Sequence, residues 1–531
     1  MIDIPAARAI IQNNESVLGI ELGSTQIKAV LTTPDCQPLA TGSHVWENQY
    51  LDDTWTYSLT DVWQGIQSAY QELVAEVQTK YHVPLQQIKA IGVSAMMHGY
   101  LAFDHQNQQL VPFRTWRNNT TQEAAKELTK LFGANIPLRW SVAHLYQAIL
   151  QQEPHVEHLT FMTTLAGYVH WQLTGEKVLG VGDASGMFPL NSAGEFDPQL
   201  LQRFAELPAV KNYAWHIEDI LPRILKAGQT AGYLTIHGAQ LLDSSGTLQA
   251  GSLLAPPEGD AGTGMISTNS VRVNTGNVSV GTSAFAMVVL NKQLKTAQPD
   301  IDLVATPAGE PVAMVHINNC SSDINAWAQL FAEFAQRLGS NLSADQIYET
   351  LFLDTEFAQA DAGGLVNYSY LSGENITQVD SGRPLFVRTP TSKFNLPNFM
   401  LAQLYAAFAP LKLGMDILFN EEKIKPQVLI AQGGLFKTPV VGQQILANAL
   451  NTPISIMENA SLGGPWGMAV LAQYATSDTQ LSLEQYLDQE IFGQVQTMTL
   501  SPETAGVHGY EHFIKRYQQA LSVERAAQIL N

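Results

Sequence analysis

The chain has 531 residues, 45% hydrophobic and 14% charged, with 28 basic against 48 acidic side chains and a net charge of −20. Such a length exceeds one hydrophobic core and predicts two large domains, and the composition is globular, not disordered. So acidic a surface excludes nucleic acid and anionic membranes as expected partners, and an anionic ligand must find backbone N–H groups, magnesium or a local cation.

The leader, MIDIPAARAIIQNNESV, has no basic region followed by an apolar run, and no later stretch is apolar enough to span a bilayer; a soluble cytoplasmic protein is expected. Val17 to Leu31 (VLGIELGSTQIKAVL) reads as strand, tight turn, strand, with apolar residues alternating on both sides of Gly23-Ser24-Thr25. Val62, Ile66, Tyr70, Leu73 and Val74 predict a helix from about Thr60 to Val83. Ile88 to Met96 is a short buried strand ending near Met97-His98-Gly99. This strand–helix–strand alternation argues for an α/β domain. Asn118 to Val178 reads as mainly helical, a lobe over the substrate, and GDASGM (Gly182–Met187) reads as a polar loop. LLAPPEGDAGTGM (Leu253–Met265) is a proline- and glycine-rich turn leading towards a helix.

A second strand–turn–strand follows at NVSVGTSAFAMVVL (Asn277–Leu290), where Val280-Gly281-Thr282-Ser283 aligns with Leu22-Gly23-Ser24-Thr25. One copy in each half indicates an internal duplication, which sets the domains at 1–267 and 268–531. A long helix is predicted from about Leu396 to Ile417. Gln427 to Leu450 then reads as a buried strand, Gly433-Gly434 and a helix, and Glu458 to Ala475 as a glycine-rich turn opening another helix. Cys36 and Cys320, the only cysteines, form neither a disulfide framework nor a zinc motif.

A hairpin tipped by glycine and hydroxyl residues lets phosphate oxygens approach backbone N–H groups closely. One such tip is common in any hairpin; two, one per half, describe a pair of phosphate hairpins in a duplicated α/β ATPase. Lys28 fits either a phosphate contact or a solvated strand lysine. Gly433-Gly434 lets backbone pass flat beneath an adenine at a helix N-terminus, although glycine pairs mark many strand–helix turns. No GxxxxGK[ST] occurs, and GxGxxG is absent after the first strand, so neither a P-loop enzyme nor a Rossmann dehydrogenase is indicated. Asp260 fits either a helix cap or the general base that takes a sugar hydroxyl's proton during phosphoryl transfer. Glu258, beside Pro257, suggests a turn role. His98 is a core histidine or a ligand, and Trp116 a core side chain or a ring on which a sugar's C–H face stacks.

Together these segments resemble the FGGY carbohydrate kinases over nearly the full length. GIELGSTQIKAVL is similar to the first phosphate hairpin and NVSVGTS to the second. SAMMHGYLAFD with FRTWRNNTT is similar to the xylulokinase pattern SGQMHG…LWND. YVHWQLTGE, GDASGMFPL, PPEGDAG, YLSGE and QGGLFKTPVVGQQILANAL resemble further family segments. The resemblance implies two actin-like (ribonuclease H-like) ATPase domains around a central cleft, and transfer of the γ-phosphoryl of Mg2+-ATP to a ketose, D-xylulose to D-xylulose 5-phosphate. By position it makes Asp260 the base. It assigns Met97, His98 and Trp116 with Asp260 to the sugar. It gives Gly23, Ser24, Thr25, Gly281, Thr282, Ser283, Gly433 and Gly434 to ATP, and Glu21 with Asp260 to the metal. It also points to a homodimer. The family usually has aspartate at Glu21, glutamine at Met96, asparagine at Ala261, Trp-Asn-Asp at Trp116-Arg117-Asn118 and arginine at Asn375. These departures bear on the sugar, because specificity comes from such polar contacts. The alternatives are a kinase for L-ribulose, L-xylulose, fuculose or glycerol, or an actin-like ATP-binding switch module without a sugar.

Overall fold

The structure, a computed structural model, describes residues 2–292, 294–457 and 463–530. It divides into two compact units, one of Met1–Val271, Leu303–Val312 and Ser461–Gln494, the other of Arg272–Asp302, Ala313–Ala460 and Val495–Asn531. The chain is therefore cut near the sequence-based boundary at 267 but returns twice to the first unit.

In the first unit, strands Val17–Leu22 and Gln26–Thr32 form an antiparallel hairpin, with Glu21 opposite Lys28. Val17–Leu22 also pairs in parallel with Ala90–Ala95, Glu21 lying beside Ser94. Pro38–Val45 extends the sheet on one side, and Leu253–Leu254 and Glu258–Gly259 pair with Ala90–Ala95 on the other. The predicted helix spans Leu59–Tyr81, capped by the Ser58 hydroxyl and ended by left-handed His82. Its buried stripe, Val62, Ile66, Ala69, Tyr70, Leu73 and Val77, joins the sheet's core. Helix Gly463–Ala475 approaches the sheet so closely that a Cβ on Gly19 would overlap the Pro465 carbonyl, which requires glycine there. The predicted turn ahead of it, Glu458–Leu462, lies outside the described residues. The segment read as mainly helical contains helices Gln122–Phe132, Ser141–Leu150 and Leu165–Thr174, with strand Phe161–Thr163 among them.

The second unit repeats the central motif. Thr275–Val280 and Ala284–Val289 form an antiparallel hairpin, and Thr275–Val280 pairs in parallel with Val428–Gly433, Val280 beside Gly433. Ile454–Met457 and Thr497–Leu500 continue this sheet. The buried helix Leu396–Asp416 carries Pro410 in its interior. Each unit thus holds a hairpin plus a third, parallel strand, as the duplication predicts. The third strands end at Ala95, before Met97-His98, and at Gly433, so these two segments occupy the same topological position. Among the described residues no helix is long and apolar enough to cross a membrane.

Candidate active site

In the first unit, Asp260 is the first residue of helix Asp260–Ser267; the cap position itself falls to Gly259. Asp260 Oδ1 accepts the Met97 N–H at 3.1 Å and the Ala261 N–H at 2.9 Å. Burial raises this carboxyl to about 6, against the pull of those two N–H groups. A half-buried carboxylate with that affinity is suited to taking a proton near neutral pH.

His98 is left-handed (φ 71°) and is followed by Gly99 at φ 94°, so the chain reverses after the Ala90–Ala95 strand and turns the ring inward. The ring is buried, with Nδ1 3.5 Å from the Gly186 carbonyl and Trp140 stacked at 6.5 Å. The Met97 side chain lies over Gly259 and its N–H reaches Asp260, while the adjoining His98 ring faces Gly186.

The segment read as a polar loop is instead a buried helical turn, Val181–Ala184, because buried carboxylates satisfy its backbone. Glu258 accepts the Asp183 N–H at 3.0 Å and the Gly182 N–H at 3.4 Å, so its role reaches beyond the local turn. Asp183 Oδ2 accepts the Thr164 hydroxyl at 2.6 Å. Burial raises both acids, and each gains from a neighbouring carboxylate, Asp183 for Glu258 and Asp260 for Asp183. Sequence reasoning missed this pair; the signal was two acids embedded in glycine-bearing apolar segments.

Glu21 is raised to about 7, first by burial and then by the charge of Asp260, with Lys28 opposing. A side chain on Gly464 would overlap its Oε1. No group of three or more His, Cys, Asp or Glu suited to a metal occurs among the described residues. Two neighbouring carboxylates still fit magnesium, which is held in kinases by one or two carboxylates together with substrate phosphates.

The first hairpin tip, Gly23–Thr25, is reached by three aromatic residues. Trp46 Nε1 donates to Gly23 O at 2.7 Å, Tyr57 OH to Ser24 O at 2.6 Å, and Trp116 Nε1 to Ser24 Oγ at 3.1 Å. Trp116 is half-buried, and its polar edge is committed to the hairpin. Its neighbours face elsewhere: Arg117 lies over the Trp55 ring at 4.0 Å, and Asn118 exchanges hydrogen bonds of 2.8 Å with the Trp55 backbone. Met96 is fully buried in the core.

In the second unit, Gly281, Thr282 and Gly434 line one cavity of about 550 Å³, together with Ser321, Asn325, Tyr348 and Lys437. That is a size suited to a small ligand. Ser283 and Gly433 are not among its lining residues. Gly433 has φ 126°, and a Cβ there would overlap the Val280 carbonyl; above Gly434 the space is open. The sequence reading missed Ser321, Asn325, Tyr348 and Lys437. The Asn-Asn-Cys-Ser-Ser run at 318–322, between a buried strand and a helix, was the available signal.

YLSGE is a strut for the same cavity. Glu374 accepts the Asn318 and Asn319 N–H groups at 2.9 and 3.1 Å, and Asn319 Oδ1 accepts the Leu371 and Ser372 N–H groups at 3.0 Å. The segment so fixed donates from Cys320 N to Thr282 O at 2.9 Å and from Ser321 Oγ to Gly281 O at 2.6 Å.

Comparison with known proteins bears on this geometry. Residues 16–245 match the N-terminal domain of the FGGY family of carbohydrate kinases, and residues 276–476 match its C-terminal domain. The chain belongs to that family. A xylulose kinase of Haemophilus influenzae is 22% identical over 481 residues, 86% of this chain and 89% of that protein. Among solved structures, a ligand-bound xylulose kinase of Lactobacillus acidophilus superposes with a TM-score of 0.77 at 19% identity, over 97% of this chain and 99% of that one. A gluconate kinase of the same organism gives the same score and identity over 96% and 98%. The fold is therefore that of the FGGY kinases, and fold alone does not select the sugar. The expectation of an ATP-using carbohydrate kinase is borne out. Asp260 falls between the two matched segments.

Proposed function

We propose that this chain transfers the γ-phosphoryl group of ATP to a hydroxyl of D-xylulose, giving D-xylulose 5-phosphate. The observation that carries the reading is the Asp260 carboxylate, aimed by the Met97 N–H, raised by burial and placed beside His98. The similarity to xylulose kinases supplies the substrate.

In this reading Met97, His98 and Trp116 bind the ketose in residues 1–267. The 268–531 domain holds the nucleotide, with Gly281, Thr282 and Ser283 at its phosphates and Gly433-Gly434 beneath the adenine. Gly23, Ser24 and Thr25 supply further phosphate donors. Asp260 accepts the hydroxyl proton as the sugar oxygen bonds to the γ-phosphorus and the bond to the β,γ-bridging oxygen breaks, ADP leaving. Glu21 and Asp260 would hold magnesium, which supplies charge neutralisation on the phosphates when bound. Glu21, longer by a methylene than aspartate, sets its carboxylate against the Gly464 backbone. The protein is proposed to act in the cytoplasm, as a homodimer.

Asp260→Asn tests the role. The variant should bind ATP and D-xylulose with near-normal affinity and lose turnover by roughly 100-fold or more. Near-normal turnover would remove Asp260 from the chemistry.

A further inference from the structure

Both hairpin tips have their carbonyl oxygens occupied by donors, through different chemistry. In the second hairpin the donors are backbone and hydroxyl groups: Cys320 N to Thr282 O, and Ser321 N and Oγ to Gly281 O. In the first they are mainly aromatic side chains. Trp46 caps Gly23 O from its indole and Thr25 O from its backbone N–H at 3.2 Å, Tyr57 caps Ser24 O, and Trp116 caps Ser24 Oγ. These residues come from three separate segments. Trp46 and Tyr57 are buried and stacked at 4.2 Å with planes 25° apart, so the two donors brace each other.

The result is a tip with one polarity. The Gly23 N–H closes the turn onto Gln26 O, while the Ser24 and Thr25 N–H groups have no partner among the described residues. The tip's acceptors are consumed and its donors are left over. A carbonyl oxygen free to face a phosphate would repel it, whereas fixed N–H groups attract it. Burial pushes the Tyr57 phenol up to about 12, so it remains a donor at any working pH.

We propose that Trp46, Tyr57 and Trp116 are positioning residues that hold the first hairpin as a donor-only anion cradle, Trp116 tying that cradle to the sugar segment. The inference rests on the reading that this hairpin holds phosphate. The three side chains act through the hairpin and need not touch ATP.

The test is calorimetric binding of ATP and of adenosine to the full chain and to its Tyr57→Phe, Trp116→Phe and Ser24→Ala variants, with thermal melts as a folding control. Tyr57→Phe should weaken ATP roughly ten-fold, the loss of one buried hydrogen bond, and leave adenosine unchanged. A merely structural loss would weaken both ligands alike, and that outcome overturns the proposal. Trp116→Phe and Ser24→Ala both remove the Trp116–Ser24 hydrogen bond, so their double variant should bind ATP no worse than the weaker-binding single one; fully additive losses would break the link between them. Unchanged ATP affinity in Tyr57→Phe also overturns the cradle. The underlying reading is tested separately by Ser24→Pro, which deletes a tip N–H. If that variant binds ATP normally, the hairpin holds no phosphate.

Discussion

In the proposed mechanism the acidity of Asp260 sets the pH at which turnover should fail. An aspartate with an ordinary affinity near 3.8 would be about 94% ionised at pH 5. Burial raises Asp260 to about 6, with the Met97 and Ala261 N–H groups limiting the rise. At that value about half the base is ionised at pH 6 and roughly a tenth at pH 5. The sugar's kcat/KM should therefore be level above pH 7 and fall about ten-fold per unit below 6, because only the ionised carboxylate accepts the proton. The assay is initial ADP formation measured directly by chromatography from pH 4.8 to 8.5, with sugar, ATP and magnesium all well below saturation so that the profile reports the carboxylate of the free enzyme. Asp260→Glu serves as the comparison; it keeps a carboxyl but moves it from the Met97 and Ala261 N–H donors, and its acid limb should shift. A wild-type profile flat from pH 5 to 7.5 would refute the argument that burial dominates at this carboxylate.

Other predictions follow from the packing. Gly433→Ala places a Cβ into the Val280 carbonyl at φ 126°, so it should lower the melting temperature by several degrees and weaken ATP at least ten-fold in titration calorimetry. Glu258 is raised to about 8, so the fold retains a proton that the unfolded chain releases above about pH 4.5, and stability should decline as pH rises from there through 8. Glu258→Gln should flatten that decline in melts at pH 5 and 8; an unchanged slope would assign it to other groups. Glu374→Ala leaves the Asn318 and Asn319 N–H groups without their acceptor and should cost about 1–3 kcal/mol in chemical denaturation, with a raised KM for ATP and an unchanged KM for the sugar.

Much of this was legible in the sequence because the signals were local. Gly23-Ser24-Thr25 and Gly281-Thr282-Ser283 stand between alternating apolar strands, so both hairpins and their duplication could be read directly. The stripe on Leu59–Tyr81 placed that helix to within about two residues. Asp260, Met97 and His98 were named from separate segments, and parallel pairing beside the Ala90–Ala95 strand brings them together. What stayed hidden depends on distant partners. GDASGM read as a solvated loop because nothing local shows that Glu258 takes its N–H groups. Trp116 read as a sugar platform, but its indole N–H points to a hairpin 92 residues away. YLSGE was visible as a motif, yet its use as a strut for Asn318 and Asn319 appears only in three dimensions. The return of helix Gly463–Ala475 to the first unit is equally invisible, since periodicity describes a helix's faces and not the sheet it packs on.

The most direct test of the central claim is ADP release by the purified protein with Mg2+-ATP, measured against D-xylulose, other ketoses, polyols, gluconate and a blank without sugar. The account predicts strong acceleration by D-xylulose, with D-xylulose 5-phosphate as the product and little ADP in the blank. ADP release independent of any sugar, or a response confined to another member of the panel, would contradict it.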